Sequence, residues 1–212
     1  GYGAIEYAYH HMAKDAGIAM MPCRLFEENG RRHFMTKRFD RTDDGAKLHM
    51  LSLAALAHYD FNMPGVYGYE QAFRAMEKIE LRRDEIEQQF RRMVFNVVAR
   101  NQDDHVKNIA FLMDRKGRWS LSPAFDVAYS YNPSGDWTAS HQMTLNGKQD
   151  GFSMQDFEAC GKLARLKQGQ AKSIVREVQN IVSKWRDYAD EVEIRASQRD
   201  KIQRVLRLDP FS

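Results

Sequence analysis

The stretch NQDDHVKNIAF, Asn101 to Phe111, decides how this chain is read. Two adjacent acids, a histidine, a lysine and an asparagine stand directly before an apolar run. Upstream, a helix is expected from Arg82 or Asp84 to Ala99, because Ile86, Phe90, Met93, Val94, Val97 and Val98 recur on one helical stripe. Downstream, Ile109 to Met113 and Arg118 to Leu121 read as a short hairpin around the turn DRKG, with Gly117 suited to a positive φ. The polar loop therefore lies between two apolar elements and is held at both ends. Pro123 closes the hairpin and AFDVAYS follows. Since a hairpin returns the chain to where it left, Asp126 is expected to face the loop.

Asn108 and Asp126 offer two hard oxygen ligands, and Asp103 offers a separate carboxylate. Magnesium takes few protein oxygens and fills its remaining positions with phosphate and water. Phosphoryl transfer to a hydroxyl needs that metal and a carboxylate that orients or accepts the hydroxyl proton. Asn108 stands five positions after Asp103, the separation of aspartate and asparagine in kinase catalytic loops. Asp104 competes for the role of base, but its spacing to Asn108 is one short and it ranks lower. A loop rich in Asp and Asn is equally at home as a plain turn. The spacing alone leaves both readings open.

Outward from this loop, Ala4 to Asp15 carries helical spacing and Gly17 ends it. Cys23 and Leu25 on one arm and Phe34 and Met35 on the other predict a hairpin around Asn29-Gly30, a type I′ pair, whose second arm runs into Lys37-Arg38-Phe39-Asp40-Arg41. Leu48 to His58 reads as mostly helical, DFNMPGVYG as a loop, and Tyr69 to Lys78 as a helix. Asn132 to Asp150 reads as a long loop with a short strand at Gln142 to Leu145. Helices are expected at Ser153 to Ala164, Gln168 to Tyr188 and Asp190 to Leu206, with Ser153 and Asp156 forming a variant capping box. Tyr2, Tyr7 and Tyr9 read as packing residues, and Arg82-Arg83 and Arg91-Arg92 as exposed helix faces. The fold class is α+β and mainly α: a small β-containing part, residues 1–47, followed by a helical body, residues 48–212.

Composition sets bounds on function. The chain has 212 residues, 43% of them hydrophobic and 29% charged, an ordinary globular profile. Its 32 basic and 29 acidic residues leave a net charge of +3, which excludes the whole-chain polybasic signature of a nucleic-acid coat. Cys23 and Cys160 stand far apart and outside any CxxC pair, so they read as buried thiols in a reducing compartment and not as a zinc site. No apolar run approaches the roughly 20 residues that span a bilayer, and a cytoplasmic location is expected. The opening GYGAIEYAYHHM has no initiator Met and enters a helix at once, so the chain reads as a fragment or a processed product.

At these residues the chain resembles a family. DDHVKN is similar to the D-x-H-x-K-N loop of HipA-like serine/threonine kinases, the toxins of HipA/HipB toxin–antitoxin systems. SPAFD and KRFDR resemble two further segments of that family, and all three occur in the family's order. The resemblance covers the chain to about Phe157. It implies a protein-kinase-like C-terminal lobe with a small β-hairpin portion of the N-terminal lobe, and ATP and Mg2+ as ligands. Carried onto matching positions, Asp103 becomes the catalytic carboxylate and Asn108 and Asp126 the magnesium ligands. His105 and Lys107 would lie against the phosphates. Lys37, Arg38 and Phe39 would form the hinge strand beside adenine, Asp40 would approach the ribose and Phe125 would pack beside the nucleotide. Without the resemblance, Phe39 and Phe125 read as core aromatics. The implied partners are a helix-turn-helix antitoxin, a protein substrate with Ser or Thr, and DNA only through the antitoxin. The family's phosphate-gripping loop and ATP-binding lysine have no counterpart in these residues, and no Gly-rich phosphate loop occurs. Weak ATP binding and weak phosphotransfer are therefore expected of this chain alone. The same residues leave room for a non-catalytic module that binds the antitoxin.

Overall fold

The computed structural model describes residues 1–209 and residue 211. Among these residues it contains eight helices and five short strands. The first helix, α1 (Tyr2–Asp15), buries Ile5, Ala8, Tyr9, Met12 and Ala13 on one face. Gly17 ends it at φ 81°, a left-handed value that suits glycine. Strands β1 (Cys23–Glu28) and β2 (Arg31–Thr36) pair antiparallel, with Leu25 opposite Phe34 and Glu28 opposite Arg31. Asn29 at φ 50° and Gly30 at φ 70° give the type I′ turn its two positive dihedrals. Past β2 the ladder ends: Lys37 N–H still donates to Pro22 O at 2.9 Å, and Lys37 to Phe39 continue as irregular chain, not as the expected strand.

Residues 48–58 depart from the helical expectation. His49–Ser52 forms β3, which pairs antiparallel with β4 (Ala110–Met113), and only Leu53–Ala57 is helical, as α2. Pairing with the edge of a buried strand overrides a weak local helix preference. Ser52 marks the switch, its Oγ accepting from Ala55 N at 3.2 Å as an N-cap. Strand β5 (Trp119–Leu121) completes a three-stranded sheet in the order β3-β4-β5.

Helices α3 (Tyr69–Lys78) and α4 (Arg83–Val98) fall where periodicity places them. The stripe of α4 is buried as read, but the basic run beside it is not an exposed face. Arg91 lies partly covered and bonds Glu177 and Ala16 O, and Arg92 is buried with Nη2 on Ser122 O at 2.6 Å. A long side chain next to an apolar stripe can tuck under it if its head finds a carbonyl. Of the three tyrosines read as packing residues, Tyr9 is fully buried but Tyr2 is exposed.

No strand forms at 142–145. Isolated bridges join Thr144 to Gly68 and Leu145 to Lys148, because Asn146 (φ 50°) and Gly147 (φ 75°) turn the segment back on itself. Helix α5 (Met154–Leu163) follows, and Ser153 N–H donates to the Asp156 carboxylate at 2.7 Å, the acidic half of the expected box. The long C-terminal helices are each shorter than expected. The chain breaks at Ser183-Lys184 between α6 (Gln170–Val182) and α7 (Trp185–Glu191), and α8 spans only Ala196–Gln203. The break turns Trp185 into the core, where its ring lies 5.2 Å from Tyr9 and its Nε1 donates to Arg199 O at 2.9 Å. Burying an indole outweighs one more helical turn. Cys160 is buried and Cys23 only half covered, so one thiol departs from the expected burial. Among the described residues no helix is long and apolar enough to cross a membrane.

Candidate active site

The polar loop leaves α4 through Arg100 at φ 56° and enters β4 at Ala110. It is pinned to the start of α2 by Leu53 N to Ile109 O at 2.7 Å and Ala54 N to Val106 O at 3.1 Å. Asp103 N–H donates to Ser130 Oγ at 2.9 Å, and Asn108 Nδ2 donates to Asp103 O at 2.9 Å. Asn108 N–H closes the turn on His105 O at 2.8 Å. The two polar residues singled out by their spacing are thus bonded to each other. Partial burial raises the Asp103 carboxyl above its ordinary value, and the nearby charges of Asp126 and Asp104 add to this while His105 and Lys107 oppose it. His105 Nε2 lies 3.9 Å from Asp103 Oδ1, and its buried Nδ1 has no partner among the described residues.

Asp104 is buried at the floor of the loop, and all its polar contacts are with the protein. Its Oδ2 accepts from Tyr69 Oη at 2.6 Å and meets His141 Nδ1 at 2.8 Å, and its Oδ1 accepts from Gln142 N at 2.9 Å. Burial pushes this carboxyl up, yet His141, Tyr69 and Gln142 together hold it below its ordinary value. Asp104 is therefore a rivet for the loop.

Asp126 has φ 56°, in the left-handed region, and lies exposed beyond the bridge of Ala124 to Met20. It lines one pocket together with Asn108, His105 and Phe125. Glu6 on α1 feels the same charge: burial and then Asp126 raise its carboxyl. The rings of Phe39 and Phe125 lie 5.2 Å apart, tilted by 39°, which places Phe39 beside the pocket's wall. Other candidates turn elsewhere. Arg38 grips Asp40 through two bonds of 2.8 and 2.6 Å, Arg41 adds a third, and Lys37 bonds Asp43. The Arg38 bonds, ahead of Arg41, lower the Asp40 carboxyl. Lys107 Nζ stands 3.3 Å over the Phe61 ring.

These donors fit a magnesium ion. Asn108 spends its Nδ2 on the loop, which leaves Oδ1 free, and the Asp126 carboxylate has no hydrogen bond or ion pair among the described residues. Two protein oxygens beside a phosphate suit that ion. Among the described residues no group of three or more His, Cys, Asp and Glu could cage a metal.

The family model of the HipA-like C-terminal domain matches residues 1–185. The chain belongs to that family. Its fold is similar to that of HipA from Shewanella oneidensis MR-1, solved as a HipA, HipB and operator DNA complex of a toxin–antitoxin system, with a TM-score of 0.77 at 16% identity. The match covers 96% of this chain and 54% of that one, so this chain spans about half of its neighbour's length. It is also similar to the Helicobacter pylori proinflammatory kinase CtkA, with a TM-score of 0.56 at 10% identity, over 95% of this chain and 88% of that one. No curated protein matches it. The fold is kinase-like and mainly helical, with small antiparallel sheets, as the sequence implied.

In this HipA-like domain, sequence reasoning missed Tyr69, Ser130 and His141. Tyr69, Ser130 and His141 hold the loop from 27 to 37 positions away, and no spacing rule links such separations. The one available signal was the second acid of the DD pair, because a buried carboxylate beside a working one needs donors.

Proposed function

We propose that this HipA-like domain is the catalytic body of a serine/threonine protein kinase that transfers the ATP γ-phosphate to a protein hydroxyl. One observation carries the reading: Asn108 and Asp126 line one pocket, and Asp103 is bonded to Asn108 and feels the charge of Asp126. Magnesium held by Asn108 Oδ1 and Asp126 would neutralise phosphate charge there. Asp103 orients the substrate hydroxyl and accepts its proton, and Ser130 and Asn108 keep its backbone fixed while it does so. His105, beside Asp103, steadies the loop at the phosphate side. Phe125, with Phe39 behind it, offers an apolar wall to the base, and Lys37 to Asp40 follow as the hinge. In this scheme residues 1–47 carry the hinge portion and residues 48–212 the catalytic body, working in the cytoplasm. Lys107 stays at the rim of the loop.

The partner we propose is a helix-turn-helix antitoxin, with DNA reached through it. Support comes from the Shewanella HipA, which was solved with HipB and operator DNA. The same observation favours a second reading, in which the domain binds an antitoxin and does no chemistry. Phosphotransfer from radiolabelled ATP with magnesium, using the full-length protein that contains this chain, separates the two. Asp103→Asn should lower turnover by about 10²- to 10⁴-fold, the usual share of a general base, while antitoxin binding stays unchanged. Equal turnover in the variant rejects the catalytic reading. The 1–212 chain alone should turn over weakly.

A further inference from the structure

His141 joins two charged groups that are distant in sequence. Its Nδ1 meets Asp104 Oδ2 at 2.8 Å and its Nε2 meets Arg207 Nη1 at 3.0 Å. The pairing settles the tautomer. A carboxylate accepts only, so Nδ1 carries the hydrogen; a guanidinium donates only, so Nε2 presents its lone pair. The ring thereby links a cation to an anion through two hydrogen bonds. It is fully buried, with Phe152 packed edge-on at 5.4 Å. Its backbone is tied to Gln149 by His141 N to Gln149 O at 3.1 Å and Gln149 Nε2 to His141 O at 2.7 Å. Arg207 is held in turn by Val97 O at 2.8 Å and by Asp150 Oδ1 at 2.6 Å. Asp104 is the residue directly after Asp103, and its buried carboxylate is held by Tyr69, His141 and Gln142.

We propose that His141 is a positioning residue. Its Nδ1 gives the buried Asp104 carboxylate a donor, with the ring seated against Arg207, and thereby sets the backbone from which Asp103 acts. Cutting the link leaves a buried carboxylate short of a donor, and the loop shifts to recover one. A misplacement of about 1 Å at a reacting group can cost about 10²-fold in rate. The kinetic part of this proposal rests on the kinase reading above; the structural part does not.

The test uses full-length protein with three variants. His141→Asn keeps a donor near the Nδ1 position, whereas His141→Gln places its amide near Nε2 and His141→Ala keeps neither. The expected result is a 10- to 100-fold fall in kcat for His141→Ala and His141→Gln. KM for ATP should change less than about threefold, and His141→Asn should recover most of the rate. Hydrogen exchange at the amides of Asp103 and Gln142 supplies a readout independent of activity. Those amides bond Ser130 Oγ and Asp104 Oδ1, so their exchange should accelerate in the Ala and Gln variants and not in the Asn variant. Unchanged exchange in all three overturns the proposal, as does full kcat in folded His141→Ala. If wild type shows no phosphotransfer, the kinase reading fails and exchange alone decides the proposal. If His141→Ala does not fold, the comparison of Asn with Gln decides it.

Discussion

Asn108 donates its Nδ2–H to the main-chain oxygen of Asp103 at 2.9 Å, so the two ends of the D-x-x-x-x-N spacing are one hydrogen-bonded unit. The bond determines which end of the Asn108 amide is left for a ligand. Asn108→Asp turns the donor into an oxygen facing an oxygen. The expected outcome is a loss of about 1 kcal/mol of stability in urea unfolding, the usual worth of such a bond, together with at least a tenfold loss of magnesium-dependent phosphotransfer. A variant with wild-type stability would show that the bond does not hold the loop.

Much of the fold was open to reading wherever one local signal acted alone. Asn29-Gly30 specifies its turn, and the stripe from Ile86 to Val98 specifies α4, since each needs only neighbours a few residues away. The misreadings share a cause. His49–Ser52 became a strand because β4 offers it a partner, and the C-terminal helix broke at Ser183-Lys184 because Trp185 has a core to enter. Both effects are tertiary. The site divides in the same way. Asp103, Asn108 and Asp126 could be picked out by spacing and hairpin geometry, while Tyr69 and His141 became visible only once the buried carboxylate of Asp104 was seen to need them.

Tyr9 donates its hydroxyl to Ala99 O at 2.7 Å, at the point where α4 gives way to the polar loop. Tyr9 is fully buried, so the bond has no water to replace it. Tyr9→Phe leaves the Ala99 oxygen without this donor at the cost of about 1–3 kcal/mol. Thermal unfolding should show a lower Tm for the variant. A Tm change below about 1 °C would mean that the end of α4 is satisfied some other way.

The two cysteines should differ in reactivity. Cys160 is buried, its Sγ is 3.3 Å from Glu70 Oε1, and burial followed by the Glu70 charge raises its thiol far above the usual value. Cys23 opens β1 half-covered, and burial raises it as well. The thiolate is the reactive form. An aromatic disulfide reagent should therefore label Cys23 slowly in the native protein and reach Cys160 only after guanidinium is added. Native labelling of both thiols at one rate would count against the packing of α5 on the 146–148 turn.

Asp156 gives the fold a measurable pH dependence. Burial alone would raise its carboxyl, but Asn146 Nδ2 at 2.7 Å, Lys148 Nζ at 2.8 Å and Ser153 N at 2.7 Å together take it from 3.8 to about 2. A depressed folded-state value means that the native state favours the ionised form. The contribution is thus complete above the unfolded value and is lost as pH falls from about 4 to about 2. Its size is about 2 to 2.5 kcal/mol, from a fall of just under two pKa units at about 1.36 kcal/mol each. Asp104 is depressed as well, so wild-type stability falls in acid for more than one reason. The difference between wild type and Asp156→Asn isolates this residue. Denaturant unfolding should show the variant weaker by about 2 to 2.5 kcal/mol at pH 7, with the gap closing between pH 4 and pH 2. A gap that stays constant across that range would mean that Asp156 acts through hydrogen bonds its neutral form makes equally well.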